Sequence, residues 1–244
     1  MDIKGAAKTN GLTISENVYY TLRKNIVNLH LRPGELLNVR EITEKLHVSR
    51  TPVREALIRL EREGLIDVVP QVGTSVSKID LDRVEEEKFI RSTLEEKVIE
   101  LCLESPLQFM LPDLEKALLH QEAALQDADA LTFLEWDDEF HRSIFHAMNK
   151  QMCWDLIQKN SGHYRRVRIM TMWYKDIRAS VLEQHRQIYS TIKEKDSSRL
   201  YSLVHDHFTR IVIQEKELMQ AFPDYFKTKP LTTDPLVSSF ISAG

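Results

Sequence analysis

The stretch that most limits how this chain can fold is Val48-Ser49-Arg50-Thr51-Pro52-Val53-Arg54-Glu55-Ala56-Leu57. Ser49 is placed to cap a helix, because its hydroxyl can accept from a free amide of the first turn. Pro52 falls in that turn, where its missing N–H costs little. Val53, Leu57 and Leu60 then repeat at helical spacing and face a core. Arg50 and Arg54, four apart, project from one side of the same turns. In a helix-turn-helix those turns meet base edges and phosphates. In a plain amphipathic helix the two arginines are simply solvated, and this segment alone leaves both readings open.

The flanking residues separate the two. Residues 1–13 read as a lead-in. From Ser15, a candidate cap, Val18, Leu22, Ile26 and Leu29 spell an amphipathic helix that ends at Leu31-Arg32-Pro33-Gly34. Leu36-Leu37 is a short apolar piece of strand, and Arg40 to Leu46 a short helix with Ile42 and Leu46 inward. His47 occupies the tight joint before Ser49, where a residue tolerant of the left-handed conformation is needed. The third helix runs to about Glu63, with Gly64 ending it. Leu65 to Val69 and Thr74 to Ser77 alternate at a strand period around a turn at Pro70-Gln71-Val72-Gly73. Helix, helix-turn-helix and hairpin in that order predict a winged helix over residues 14–78.

Charge divides at the same place. Residues 1–79 hold 12 Lys+Arg against 9 Asp+Glu, a balance of +3, and the remainder holds 21 against 28, a balance of −7. A small basic domain on a larger acidic one suits a DNA-binding head with a body of another purpose. Two cysteines, Cys102 and Cys153, give neither a disulfide framework nor a C-x-x-C site. No run approaches a membrane span, and Met1 to Asn10 lacks the apolar core of a signal peptide, so a cytoplasmic location is expected.

Four segments carry a resemblance: Arg32-Pro33-Gly34-Glu35-x-Leu37, the Val48–Leu57 stretch, Leu60-x-x-Glu63-Gly64-Leu65 and Gly73-Thr74-x-Val76. Together they resemble the DNA-binding domain of the GntR family. The resemblance implies a homodimer on a palindromic double-stranded operator. It places DNA contacts at Arg40, Ser49, Arg50, Thr51 and Arg54, with the wing around Gln71 and Gly73 at the minor groove. Arginine can read guanine bidentately, and hydroxyls or helix N-termini can hold phosphates. His47 departs from the pattern, where Gly or Asn is commoner.

After a linker at 79–82, residues 83–221 show no strand alternation. Helices are expected over 82–104, 111–127, 130–148, 150–173, 176–195 and 197–221, with breaks at Ser105-Pro106, Leu111-Pro112-Asp113, Asp127-Ala128-Asp129 and Asp196-Ser197. The chain is therefore expected to be mainly α: a winged helix-turn-helix with a small β-hairpin, then an all-α antiparallel bundle. Residues 222–244 form a tail broken by prolines, either free or docked on its own domain or a partner.

Four polar residues sit in the apolar stripes of this bundle. Asp137 and His141, four apart, lie among Phe133, Trp136, Phe140, Ile144 and Met148. His185 lies among Val181, Leu182, Ile188 and Ile192, and His207 among Leu203, Val204, Phe208 and Ile211. Singly, inward histidines are usually hydrogen-bonded core residues, and Asp137–His141 is also a plain i,i+4 pair. Together they can satisfy one another around one divalent cation, which removes the cost of burying each alone. Three nitrogens and one oxygen suit Zn²⁺, Ni²⁺, Mn²⁺ or Fe²⁺ alike, and zinc is the expected ion. His163 is left undecided. Arg91, on the Val98 and Leu101 side of its helix, wants a bidentate anion, either a structural carboxylate such as Glu95 or a ligand. Of Arg165, Arg166 and Arg168, one is expected to point inward.

Asp137-x-x-Phe140-His141, Glu183-x-His185-x-x-Ile188 and His207-Phe208 resemble the metal-binding subset of the FadR-type C-terminal ligand-binding domain, FCD. That resemblance implies a small carboxylate effector completing the metal's coordination, with Arg91 on the carboxylate. A non-enzymatic transcription regulator follows, with repression the expected mode. The competing readings are a metal-responsive regulator, a metalloenzyme fused to a DNA-binding domain, and a metal-free acyl-CoA sensor.

Overall fold

A computed structural model describes residues 1, 3–4, 11–71, 73–104, 110–209 and 215–228. The head begins with α1 (Ile14–Val27), followed by β1 (Leu36–Leu37), α2 (Val39–Leu46), α3 (Arg50–Arg62), β2 (Ile66–Val69) and β3 (Gly73–Val76). The cap of α1 is Thr13, not Ser15: Thr13 Oγ1 accepts from Glu16 N at 3.2 Å, and Glu16 Oε2 accepts from Thr13 N at 2.9 Å. This reciprocal pair satisfies two otherwise orphaned donors, which Ser15, already inside the first turn, could not do. Ser49 does stand at the N-cap of α3, but its hydroxyl makes no capping bond. His47 adopts φ 54°, the left-handed conformation that the joint between α2 and α3 requires.

The wing is antiparallel, in strand order β1-β3-β2, with Ile66 opposite Val76 and Val69 opposite Gly73. Leu22, Ile26, Leu31, Ile42, Val53, Leu57, Leu60 and Leu65 close the head's core. Met1 and Ile3 pack against it, and Lys4 exchanges two backbone bonds with the side chain of Asn25. Gly64, one residue past the cap of α3, has φ 71°; a Cβ there would meet the Arg83 guanidinium at 2.2 Å.

Behind the head come α4 (Leu81–Cys102), α5 (Leu111–Gln126), α6 (Ala130–Ala147), α7 (Gln151–Lys159), α8 (Gly162–Thr171), α9 (Lys175–Glu194), α10 (Ser197–Thr209) and α11 (Glu215–Ala221). One long helix was expected over 150–173, and the structure divides it. Asn160 turns its amide back onto Leu156 O at 2.8 Å, Ser161 bonds to Gln158 O, and Arg23 of the head occupies the carbonyls of Gln158 and Lys159 at 2.9 Å each. The end of α7 is thus capped by side chains, one of them from another element, and α8 starts afresh. The Ser105-Pro106 break, Val72 in the wing, Ile211 and residues 229–244 lie outside the described residues.

Phe140, Ile144, Phe145, Trp154, Ile188, Ile192 and Phe208 form the bundle core. A separate cluster of Ile79, Val84, Tyr164, Val167, Met170, Leu218 and Phe226 packs the start of α4 against α8 and the last described segment. There Ile79 bridges to Phe226 in parallel, after a single 3-10 turn at Pro223–Tyr225.

α8 touches both halves of the molecule. His163 Nε2 lies 3.1 Å from Gly64 O at the end of α3, and its Nδ1 accepts from Asp80 N at 3.0 Å. Arg166, fully buried, donates to Ser77 O at 2.6 Å just beyond β3. Arg165 donates to Asn28 Oδ1 at 3.0 Å at the end of α1. Glu87 of α4 accepts from the first free amides of α8, His163 N and Tyr164 N, at 2.8 Å each. A Cβ at Gly162 would stand 2.6 Å from Leu65 Cδ2, so a larger residue there would have to displace that side chain.

Candidate functional site

Two groups of residues stand out, one on the head's surface and one inside the bundle. On the head, Ser49, Arg50, Thr51 and Arg54 are all exposed at the start of α3. Their exposure follows from the register: Val53, Ala56, Leu57 and Leu60 take the buried face, so the arginines point away from it. Arg40 on α2 is also exposed and holds Glu44 at 2.9 Å, a surface i,i+4 pair that a phosphate can replace. Gln71, with φ 64°, and Gly73, with φ 130°, stand exposed at the tip of the wing.

Inside the bundle, α6, α9 and α10 each deliver one imidazole to a common point. His141, His185 and His207 are all buried, and each offers a ring nitrogen within 4.8 Å of the others. A helical period puts each in its element's apolar stripe, and the three stripes converge. Each ring is oriented from behind. His185 Nδ1 lies 2.9 Å from Gln121 Oε1 of α5, and His207 Nδ1 lies 2.8 Å from Gln184 Oε1 of α9. His141 Nδ1 lies 2.5 Å from Glu95 Oε2 of α4, a close contact without the alignment of a good hydrogen bond. An oxygen acceptor at Nδ1 fixes the proton there and leaves the lone pair on Nε2. Neither His141 Nε2 nor His185 Nε2 has a hydrogen-bond partner among the described residues. Burial, reinforced by the neighbouring imidazoles, pushes His185 and His207 well below the usual imidazole range.

Asp137 lies beside two of these rings but outside the three-histidine group, with its carboxylate otherwise engaged. Its Oδ1 is 3.7 Å from His185 Nε2 and its Oδ2 is 3.9 Å from His141 Nε2, while Oδ2 accepts a bond from Arg168. Arg168 also donates to Asp138 Oδ1 at 2.7 Å. Arg91 donates to Glu95 Oε1 at 2.6 Å, approaches Asp138 at 3.3 Å, and stands 3.9 Å from Asp137. Glu95 is the partner expected of Arg91 on structural grounds. Burial alone would raise Glu95, but Arg91 and His141 hold its carboxyl down at about 2. Asp138, held below the carboxylate range by Arg168, Arg165 and Arg91 against its burial, completes the group. Of the three arginines of α8, one was expected inward; Arg166 and Arg168 are both buried, and Arg165 is bonded to Asp138.

A divalent cation fits this donor set. Two buried imidazole nitrogens without partners are costly unless a ligand takes them. Neutral imidazoles held at Nδ1 by oxygen acceptors are also the usual support of metal-ligating histidines.

His163 belongs to another site. It lies at the head–bundle contact, its charge suppressed to about 3 by burial and by Arg166 and Arg83. Reading the sequence for inward ionisable groups missed Gln121, Gln184 and Asp138. Only Gln121 carried a signal, because it continues the buried stripe Leu114, Ala117, Gln121, Ala124 of α5.

Comparison with known proteins matches residues 14–76 to the model described as bacterial regulatory proteins, gntR family, and residues 89–210 to the FCD domain. The HTH-type transcriptional repressor RspR of Escherichia coli K12 is 30% identical over 213 residues, covering 87% of this chain and 93% of RspR. The gluconate operon transcriptional repressor of Bacillus subtilis is 28% identical over 208 residues, covering 82% of this chain and 84% of that protein. Among solved structures, Escherichia coli McbR/YncC superposes with a TM-score of 0.71 at 21% identity, covering 86% of this chain and 99% of that one, a likeness of fold.

Proposed function

Given that the chain belongs to the gntR family of bacterial regulatory proteins and is a DNA-binding transcription regulator with an FCD domain, not an enzyme, we propose that it represses from a palindromic operator under the control of a small carboxylate held at a divalent metal. His141, His185 and His207 hold the ion, zinc first, with Asp137 as the fourth protein ligand. Arg91 stands beside them for the carboxylate. The metal supplies a fixed positive charge and an acceptor of oxygen donors in a site that water does not reach freely.

The observation that carries this reading is the orientation of the three imidazoles. All three Nδ1 atoms face oxygen acceptors, which turns the other nitrogen of each ring to a shared ligand, and the three rings each offer a nitrogen within 4.8 Å of the others. Repulsion and desolvation oppose that arrangement in the absence of a shared cation. Named repressors among the relatives support the direction of control. On the head, Arg40, Ser49, Arg50, Thr51 and Arg54 are the operator contacts, with Gln71 and Gly73 at the minor groove. A homodimer presents two such heads in the cytoplasm. α8 supports coupling, because Arg168 bonds to Asp137 while His163, Arg165 and Arg166 bond to the ends of α3, α1 and β3. Control of DNA affinity requires that the effector bind the DNA-competent and DNA-incompetent arrangements unequally.

The test is native mass spectrometry with elemental analysis of protein purified from its host, beside His185→Ala and His207→Ala. About one metal per chain in the wild type, lost in both variants, is expected; full occupancy in either variant removes that residue from the site. Operator affinity that answers to metal alone, and to no organic acid, replaces this reading with that of a metal-responsive regulator.

A further inference from the structure

The charges around the histidines fix what a ligand must bring. Apart from the imidazoles, six charged side chains among the described residues meet there: Arg91, Arg165 and Arg168 against Glu95, Asp137 and Asp138. Every carboxylate is paired with at least one guanidinium, and the sum is zero. The four nearest the histidines are sealed from water: the side chains of Arg91, Glu95, Asp137 and Arg168 are 3%, 0%, 4% and 4% exposed. Only the Arg165–Asp138 pair, at 12% and 13%, lies nearer the surface.

A divalent cation on three neutral imidazoles therefore enters a region whose charges already cancel. It adds two positive charges that no side chain in the cluster offsets. Asp137 does not change the sum by turning toward the ion, because its charge is already matched to Arg168. That movement instead strips Arg168 of a partner, so the ion and a buried guanidinium both call for an anion. An uncompensated charge in such a place is costly, and the cost falls on the loaded state.

We propose that the effector is a dianion, a small dicarboxylate, with one carboxylate meeting the metal and the other replacing Asp137 on Arg168. This rests on the metal reading above and narrows it. A monocarboxylate leaves one positive charge unmatched, and a tricarboxylate brings one negative charge too many. Arg91, Arg168 and Glu95 are among the charged groups that act on His185 and His207 from neighbouring elements, and all three are within the count.

The experiment is calorimetric titration of the full-length protein after loading with zinc and verification of metal content. The probes are acetate and lactate, malonate and succinate, and tricarballylate, at matched ionic strength. Dicarboxylates are expected to bind at least about tenfold tighter than either monocarboxylate. Arg168→Gln removes one positive charge and should shift the preference toward monocarboxylates, whereas Arg168→Lys should keep the wild-type order. Asp138→Asn adds one and should shift it toward the tricarboxylate. Monocarboxylates that bind the loaded wild type as tightly as dicarboxylates overturn the proposal while the metal reading stands. So does a preference that stays constant through both charge changes. Protein that takes up no zinc overturns both.

Discussion

Arg50 and Arg54 stand on α3 with their guanidinium groups in water, while Arg91 and Arg168 are sealed in the bundle, each bonded to at least two carboxylates. On the proposed reading both pairs meet an anion. The difference lies in what neutralises them until it arrives. On the head, water does so at no structural cost, so the arginines can wait unpaired. In the bundle only another side chain can do it, and a ligand must displace that partner. Anion binding by the head's arginines would therefore be separable from folding, and anion binding in the bundle would not.

The largest expected effect breaks the comparison most directly. Arg91→Met removes one member of a buried group and leaves Glu95 without its closest cation. A loss of about 3–5 kcal/mol in unfolding free energy is expected from urea denaturation. Arg54→Ala should change stability by no more than about 0.5 kcal/mol, yet weaken specific operator binding by about 1–3 kcal/mol in a titration at fixed salt. Equal stability losses in the two variants would erase the distinction. Retained operator affinity in Arg54→Ala would remove that residue from the DNA contacts.

The same contrast governs what the sequence disclosed. The head was legible because its signals are local: the stretch from His47 to Leu57 holds the joint, the cap position and the exposed arginine face. The imidazoles were legible because each interrupts an apolar stripe of its own helix. Their support was less so. Gln184 is two residues from the apolar Leu182 and reads as surface, and its role depends on where α10 lies. Asp138 reads as the solvated neighbour of Asp137, because its partners Arg165 and Arg168 sit on a helix whose start at Gly162 was hidden. The break before Gly162 depends in part on Arg23, contributed from 135 residues earlier, and no local pattern encodes that.

A third region, the seam between head and bundle, sharpens the contrast through pH. His163 is neutral there, with Asp80 N and Arg166 on Nδ1 and Gly64 O on Nε2. Its pKa of about 3 lies below the unfolded value of about 6.5. Between those limits the unfolded chain binds a proton that the folded protein excludes, so stability rises with pH. The contribution is complete above the unfolded value and is lost as pH falls toward the folded one, with a slope approaching about 1.4 kcal/mol per pH unit for one proton. His185 and His207 act in the same direction. Chemical denaturation of metal-free protein between pH 7 and 5 should therefore show a shallower loss in His163→Gln than in the wild type. Parallel curves would mean that His163 is not buried in its neutral form.

The smallest effect returns to the head and asks whether its folding is as local as its recognition. Thr13 and Glu16 close a reciprocal cap on α1, whereas Ser15, which reads equally well as a cap in the sequence, has no such role. Loss of a capping side chain costs about 1 kcal/mol. Thr13→Ala should lose that amount in urea denaturation with operator affinity unchanged at saturating folded fraction, and Ser15→Ala should lose much less. Because Ala is a better helix former than Ser inside a helix, a comparable loss at Ser15 would relocate the start of α1.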